Sequence, residues 1–113
     1  MDALQRFLRY VSFETTSSEE SSTVPSTPGQ KVLGGALVEE MRTMGIADAH
    51  MDSFGYVYGS IPATDPAAPR IGLIAHMDTS PDITAKHVRP RIVSNYDGGD
   101  IVLNAEQDIR LSP

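Results

Sequence analysis

The sequence predicts an α/β fold, and three stretches carry that prediction. Residues 71–75, IGLIA, form a short apolar run without alternation. That pattern suits a strand covered on both faces of a mostly parallel sheet. Residues 27–45 combine an N-terminal capping signal, an apolar stripe and a closing glycine, which together mark an amphipathic helix. Residues 47–51 and 56–61 read as two short strands around Asp52-Ser53-Phe54-Gly55, a turn signal.

The remaining elements follow in order. Residues 3–11 are expected to form the first helix, because Leu4, Phe7, Leu8 and Val11 recur at i, i+3, i+4 and i+7. Asp2 is its N-cap and Gln5 the capping-box partner. Arg6 and Arg9 lie off the stripe and read as a solvated face. Residues 14–27, ETTSSEESSTVPST, are too rich in turn formers for regular structure and read as a solvated loop.

The second helix begins with Thr27 as N-cap, Pro28 at the first helical position and Gln30 completing a T-x-x-Q capping box. Leu33, Ala36, Leu37, Met41 and Met44 are its core stripe. Gly34-Gly35 permits close packing, and Gly45 ends the helix as a left-handed C′ residue. Glu39 and Glu40 are adjacent carboxylates, a pairing that elsewhere supplies a base and a metal ligand. On an amphipathic helix beside Arg42 they read as a solvated face.

In the hairpin Tyr56 and Tyr58 share one face, and His50 is a half-exposed strand residue. A Pro-rich loop, residues 62–69, leads into the apolar run. Beyond it, residues 86–92 are basic and surface-exposed. His87 stands there among Lys86, Arg89 and Arg91, a setting that disfavours a bound cation. Residues 92–93 and 101–103 read as two short strands around the turn at 96–100, and residues 104–113 carry little pattern.

Composition excludes several classes. The chain has 113 residues, enough for one small domain. Its formal charge of −6 argues against nucleic acid and against an anionic membrane surface, both of which call for clustered Lys and Arg. There is no cysteine, which rules out disulfides, thiolate metal sites and cysteine nucleophiles, and suits a reducing, cytoplasmic setting. The N-terminus lacks the basic and apolar regions of a secretory signal, and no apolar stretch reaches membrane-spanning length. No Gly-rich phosphate loop and no G-x-S-x-G elbow is present.

Chemistry concentrates where the apolar run ends, in His76-Met77-Asp78 followed by Thr79-Ser80-Pro81-Asp82. In open α/β sheets, ligands gather just beyond the carboxyl ends of strands. His76 is there the candidate metal ligand. Asp78, two residues on, projects to the same side of an extended backbone and is placed to accept the hydrogen bond of the other ring nitrogen. Such a carboxylate fixes the tautomer of a metal-bound imidazole and raises its basicity. Spacing alone does not separate this reading from a polar strand end; the flanking residues add weight to the metal-ligand reading.

Residues 74–82, IAHMDTSPD, resemble the first metal motif of the M20 class of zinc aminopeptidases, and their Thr-Ser-Pro-Asp continuation resembles its tripeptide-cleaving branch. Residues 4–12, LQRFLRYVS, are similar to that family's first helix. Residues 24–30, VPSTPGQ, resemble its helix-initiating loop. Residues 95–103, NYDGGDIVL, and 111–113, LSP, resemble the family's stretch downstream of the metal motif. The likeness spans nearly the whole chain in the family's order.

The resemblance implies that residues 1–113 are the N-terminal part of a catalytic domain, with no second domain present. The implied architecture is part of an α/β/α sandwich around a mixed, incomplete sheet. It further implies two zinc ions in a complete site and a tripeptide substrate cleaved after its first residue. His76 would be a ligand of one zinc, and Asp78 the catalytic carboxylate orienting its imidazole. The family's bridging Asp, catalytic Glu and remaining ligands lie beyond the residues matched. The expectation is therefore at most one ligand set begun, and no turnover by this polypeptide alone. An alternative of another class is a non-catalytic α/β association module derived from the same fold. Under either reading an unpaired sheet edge favours homo-oligomers.

Overall fold

The computed structural model describes every residue from Met1 to Pro113. Helix α1 runs Ala3–Tyr10 and starts as its sequence dictates. The Asp2 carboxylate accepts the Gln5 backbone N–H at 2.8 Å, and the Gln5 side chain accepts the Asp2 N–H at 3.0 Å, so the capping box closes reciprocally. The expected apolar face is not what seats the helix. Leu4 and Phe7 are exposed, and α1 buries no residue.

The seat is polar instead. Glu40, on helix α2 (Pro28–Thr43), accepts from Arg6 Nε at 2.5 Å and from Arg9 Nη1 at 3.1 Å. The side chain of Glu40 is only 7% exposed, whereas Glu39 next to it is solvated and meets only Arg42 at 3.5 Å. The solvated reading thus holds for Glu39 and fails for Glu40, while Arg6 and Arg9 keep access to water but each has Glu40 as a partner. Residues 6, 9 and 10 bring two guanidinium groups and a phenol over a single position of α2, a cross-helix match that periodicity within one helix does not reveal. Hydrogen bonding from Arg6 is the main reason the Glu40 carboxyl is held below its ordinary range, and the Tyr10 hydroxyl acts in the same direction. Tyr10 is pushed up, first by burial and then by the Glu40 carboxylate.

Helix α2 has Thr27 at its N-cap and Pro28 in its first turn, but the T-x-x-Q box does not close. The Thr27 hydroxyl donates to the Thr16 carbonyl at 2.8 Å, and Gln30 Nε2 donates to Ser26 Oγ at 3.1 Å. Both side chains serve tertiary contacts in place of the cap. The buried face is Gln30, Leu33, Gly34, Val38 and Glu40, rotated from the expected stripe, and Met44 is exposed. Gly45 closes the helix at φ +93°. Its N–H donates to Arg42 O at 2.9 Å and that of Ile46 to Met41 O at 3.0 Å, the paired bonds of a Schellman end.

Strands β1 (His50–Met51) and β2 (Val57–Tyr58) form the expected antiparallel hairpin, with His50 opposite Tyr58 and Met51 opposite Val57. The Asp52 carboxylate accepts the N–H groups of Phe54 and Tyr56, each at 2.9 Å, and Gly55 takes φ +87° in the turn. The hairpin packs on α2 where Gly34 leaves room: a Cβ there would lie 2.6 Å from Met51 Sδ. Gly59 gives the same close approach to Met41 and Ile46.

The second half departs most from expectation. Residues 71–75 have no strand partner and are bare, with Leu73 94% and Ile74 101% exposed. A strand is stabilised by its neighbours, and each regular strand of this chain is taken by its own hairpin partner. Strand β3 (Ile101–Asn104) pairs with β4 (Ile109–Leu111) and not with residues 92–93. Asn104 makes that turn, its side-chain oxygen accepting from Glu106 N at 3.0 Å and Gln107 N at 3.1 Å. The regular sheets are therefore two antiparallel hairpins, and the parallel sheet expected from the apolar run is absent. The radius of gyration is 17.8 Å, against about 13 Å for a compact domain of this length. No helix is long and apolar enough to cross a membrane.

Candidate metal centre

Two polar residues build this site. His76 and Asp78 flank Met77, and His76 Nδ1 lies 3.2 Å from Asp78 Oδ1. The expected i, i+2 juxtaposition is present. A carboxylate only accepts, so in the neutral ring Nδ1 carries the hydrogen and the lone pair of Nε2 points away from Asp78. The His76 side chain is 84% exposed and that of Asp78 46%. The ring thus faces open space with one nitrogen engaged. Ser80 and Asp82 order the next turn: Ser80 Oγ donates to Asp82 Oδ2 at 2.6 Å and accepts the Asp82 N–H at 3.2 Å.

The other candidates stand apart. The ring of His50 contacts the Asp48 carbonyl through Nδ1 at 2.8 Å and stacks on Tyr58 with centroids 5.4 Å apart. Asp48 is committed to the Ser60 hydroxyl and the Ser60 N–H, which hold its carboxyl below the ordinary range. His87 is exposed in a left-handed conformation, φ +55°. Glu40 is occupied by two arginines. No group of three or more His, Asp or Glu side chains comes together.

The donors assembled here are one imidazole and one carboxylate. An imidazole held at Nδ1 by a carboxylate offers Nε2 to a metal in the fixed tautomer such ligands require. The set stops there, whereas a catalytic zinc takes three protein ligands.

Sequence reasoning missed the tether of this motif. The loop at 14–18, read as solvated, bridges in parallel to the residue after Asp78. Thr79 N–H donates to Thr15 O at 3.1 Å, and Ser17 N–H donates to Thr79 O at 2.9 Å. Thr15 is buried. The available signal was Thr15-Thr16, two adjacent β-branched residues inside a polar run.

No family model matches the chain. Among curated proteins it is 53% identical to peptidase T of Parabacteroides distasonis over 113 residues, covering 99% of this chain and 28% of that protein. It is 52% identical to peptidase T of Alkaliphilus oremlandii over 113 residues, 97% of this chain and 28% of the relative. With peptidase T of Geobacillus thermodenitrificans the identity is 49%, over 99% of this chain and 28% of the relative. The chain therefore spans little more than a quarter of the length of these relatives.

Proposed function

We propose that this chain, which is homologous to peptidase T along nearly its whole length, forms the N-terminal part of the catalytic domain of a zinc-dependent tripeptide aminopeptidase. The proposed reaction is hydrolysis of the first peptide bond of a tripeptide in the cytoplasm. The observation that carries this reading is the 3.2 Å pairing of His76 Nδ1 with Asp78 within a chain of that ancestry.

In this reading His76 holds the metal through Nε2. Asp78 keeps the proton on Nδ1 and fixes the ring plane, so the ligand nitrogen is available in one tautomer. When bound, zinc supplies Lewis acidity and a water of lowered pKa. Residues 71–75 act as a central strand of the α/β/α sandwich once neighbours cover Leu73 and Ile74. With one imidazole and one carboxylate assembled, the isolated chain holds metal weakly and does not turn over substrate.

The test is zinc content and tripeptide hydrolysis of the purified chain beside His76→Ala. Substoichiometric zinc and no hydrolysis are expected. Stoichiometric zinc lost in His76→Ala, with chelator-sensitive hydrolysis, would overturn the claim of an incomplete site and mean that partner copies complete it.

A second reading rests on the bare apolar run. Ile71, Leu73 and Ile74 are all strongly exposed, and an uncovered apolar segment with free backbone groups is a template for strand pairing. A non-catalytic module acting by homo-oligomerisation uses that segment directly. The readings part on whether the remainder of a peptidase T restores hydrolysis to the chain.

A further inference from the structure

The first residue after Asp78 is where the chain returns to its helical body. Both backbone polar groups of Thr79 are engaged there, to Thr15 O at 3.1 Å and Ser17 N at 2.9 Å. The Ser17 hydroxyl adds a second donor to Thr79 O at 2.9 Å. Six residues on, the Ala85 N–H donates to Thr16 Oγ1 at 2.9 Å. The 15–17 segment is itself anchored to α2. Thr27 Oγ1 donates to Thr16 O at 2.8 Å, and Ser26 Oγ accepts both the Ser18 N–H and Gln30 Nε2 at 3.1 Å. At Gly29 the helix start abuts the Glu14 carbonyl so closely that a side chain would not fit.

We propose that the Thr15–Ser17 segment is the positioning element of the His76–Asp78 pair. Asp78 lies one peptide unit before a residue fixed at both its N–H and its C=O. Fixing Thr79 fixes the backbone from which the Asp78 carboxylate projects, and that carboxylate selects the Nδ1–H tautomer of His76. The upstream side supplies no such constraint, since residues 71–75 have no strand partner. Helix α2, through Thr27 and Ser26, is then the rigid support, and Thr16 and Ser17 are positioning residues that never touch a metal. The inference rests on the metal reading for its functional meaning, but its structural content is testable without metal.

The experiment is NMR on the whole chain, reading backbone amide exchange and the His76 ring nitrogens, in wild type, Thr16→Val/Ser17→Ala, Thr16→Ser and Ser17→Pro. The double variant removes the hydroxyl tethers, and Ser17→Pro removes the N–H that bonds Thr79. Loss of these bonds is expected to speed Thr79 and Ala85 exchange about 2- to 10-fold, the range of one net hydrogen bond. The His76 nitrogens should move from the Nδ1–H signature toward a mixed tautomer, with α2 amides still protected. Thr16→Ser should retain the wild-type signature. An unchanged His76 signature while Thr79 protection is lost would overturn the proposal, as would a wild type already in mixed tautomers. A Zn²⁺ titration of the wild-type ring signals separates the two claims. No response even to zinc in large excess, with the tautomer still following Thr79, defeats the metal reading and sustains the positioning role.

Discussion

Glu40→Gln tests how the two helices are joined. Helix α1 buries no residue, so its hold on α2 depends on the Glu40 carboxylate between Arg6 at 2.5 Å and Arg9 at 3.1 Å. A hydrogen bond to a charged group contributes roughly 1.5–3 kcal/mol. Both arginines keep access to water and regain hydration when released, which places the net loss at the low end. The glutamine oxygen still accepts from one of them. We expect a loss of about 1–2 kcal/mol, or roughly 1–2 M in urea midpoint for a small body with m near 1 kcal/mol/M.

The pH dependence gives the sharper control. Folding lowers the Glu40 pKa, so its contribution is present above the unfolded-state value and is lost as pH falls toward the folded one. The unfolded value lies near pH 4.3. Urea unfolding followed by helical circular dichroism should therefore show wild type above Glu40→Gln at pH 7 and a narrower gap at pH 3. Equal midpoints at pH 7, or an equal gap at both pH values, would refute the clamp.

Three further substitutions have outcomes set by the geometry. Gly34→Val sets side-chain carbon where Met51 Sδ already stands at 2.6 Å, and should separate the hairpin from α2 at a cost of about 1–3 kcal/mol, read by urea unfolding and loss of β1 amide protection. Gly45→Ala forces φ +93° on a residue with a Cβ and should cost about 1 kcal/mol, with fraying confined to the last turn of α2. Leu73→Asp puts a charge on the bare apolar run; light scattering should show wild type self-associating with concentration and the variant not, and a wild type monomeric at high concentration would count against an edge open for pairing.

Local chemistry was legible in the sequence and long-range chemistry was not. The Asp2–Gln5 capping box, the Gly45 helix end, the Asp52–Gly55 turn and the His76–Asp78 contact each depend on residues at most five apart, and each forms. The Arg6–Glu40 and Thr27–Thr16 pairs span 34 and 11 residues, and in both a side chain assigned a local or solvated role has a distant partner. The β3–β4 pairing was missed because residues 104–113 show no alternation; the turn chemistry of Asn104 defines it. The composition of the apolar run 71–75 predicts burial, yet burial is a property of neighbours, and none of the chain's strands lies against it.

The central proposal is that His76 is the first metal ligand of a peptidase T-like site whose other ligands lie outside the residues matched. Mixing it with the polypeptide that makes up the unmatched remainder of the Parabacteroides distasonis peptidase T, and assaying tripeptide hydrolysis in zinc, tests this most directly. Neither piece alone should be active. The mixture should hydrolyse tripeptides, and His76→Ala in this chain should abolish that activity. Association of the two pieces without hydrolysis, or hydrolysis that survives His76→Ala, would contradict the account.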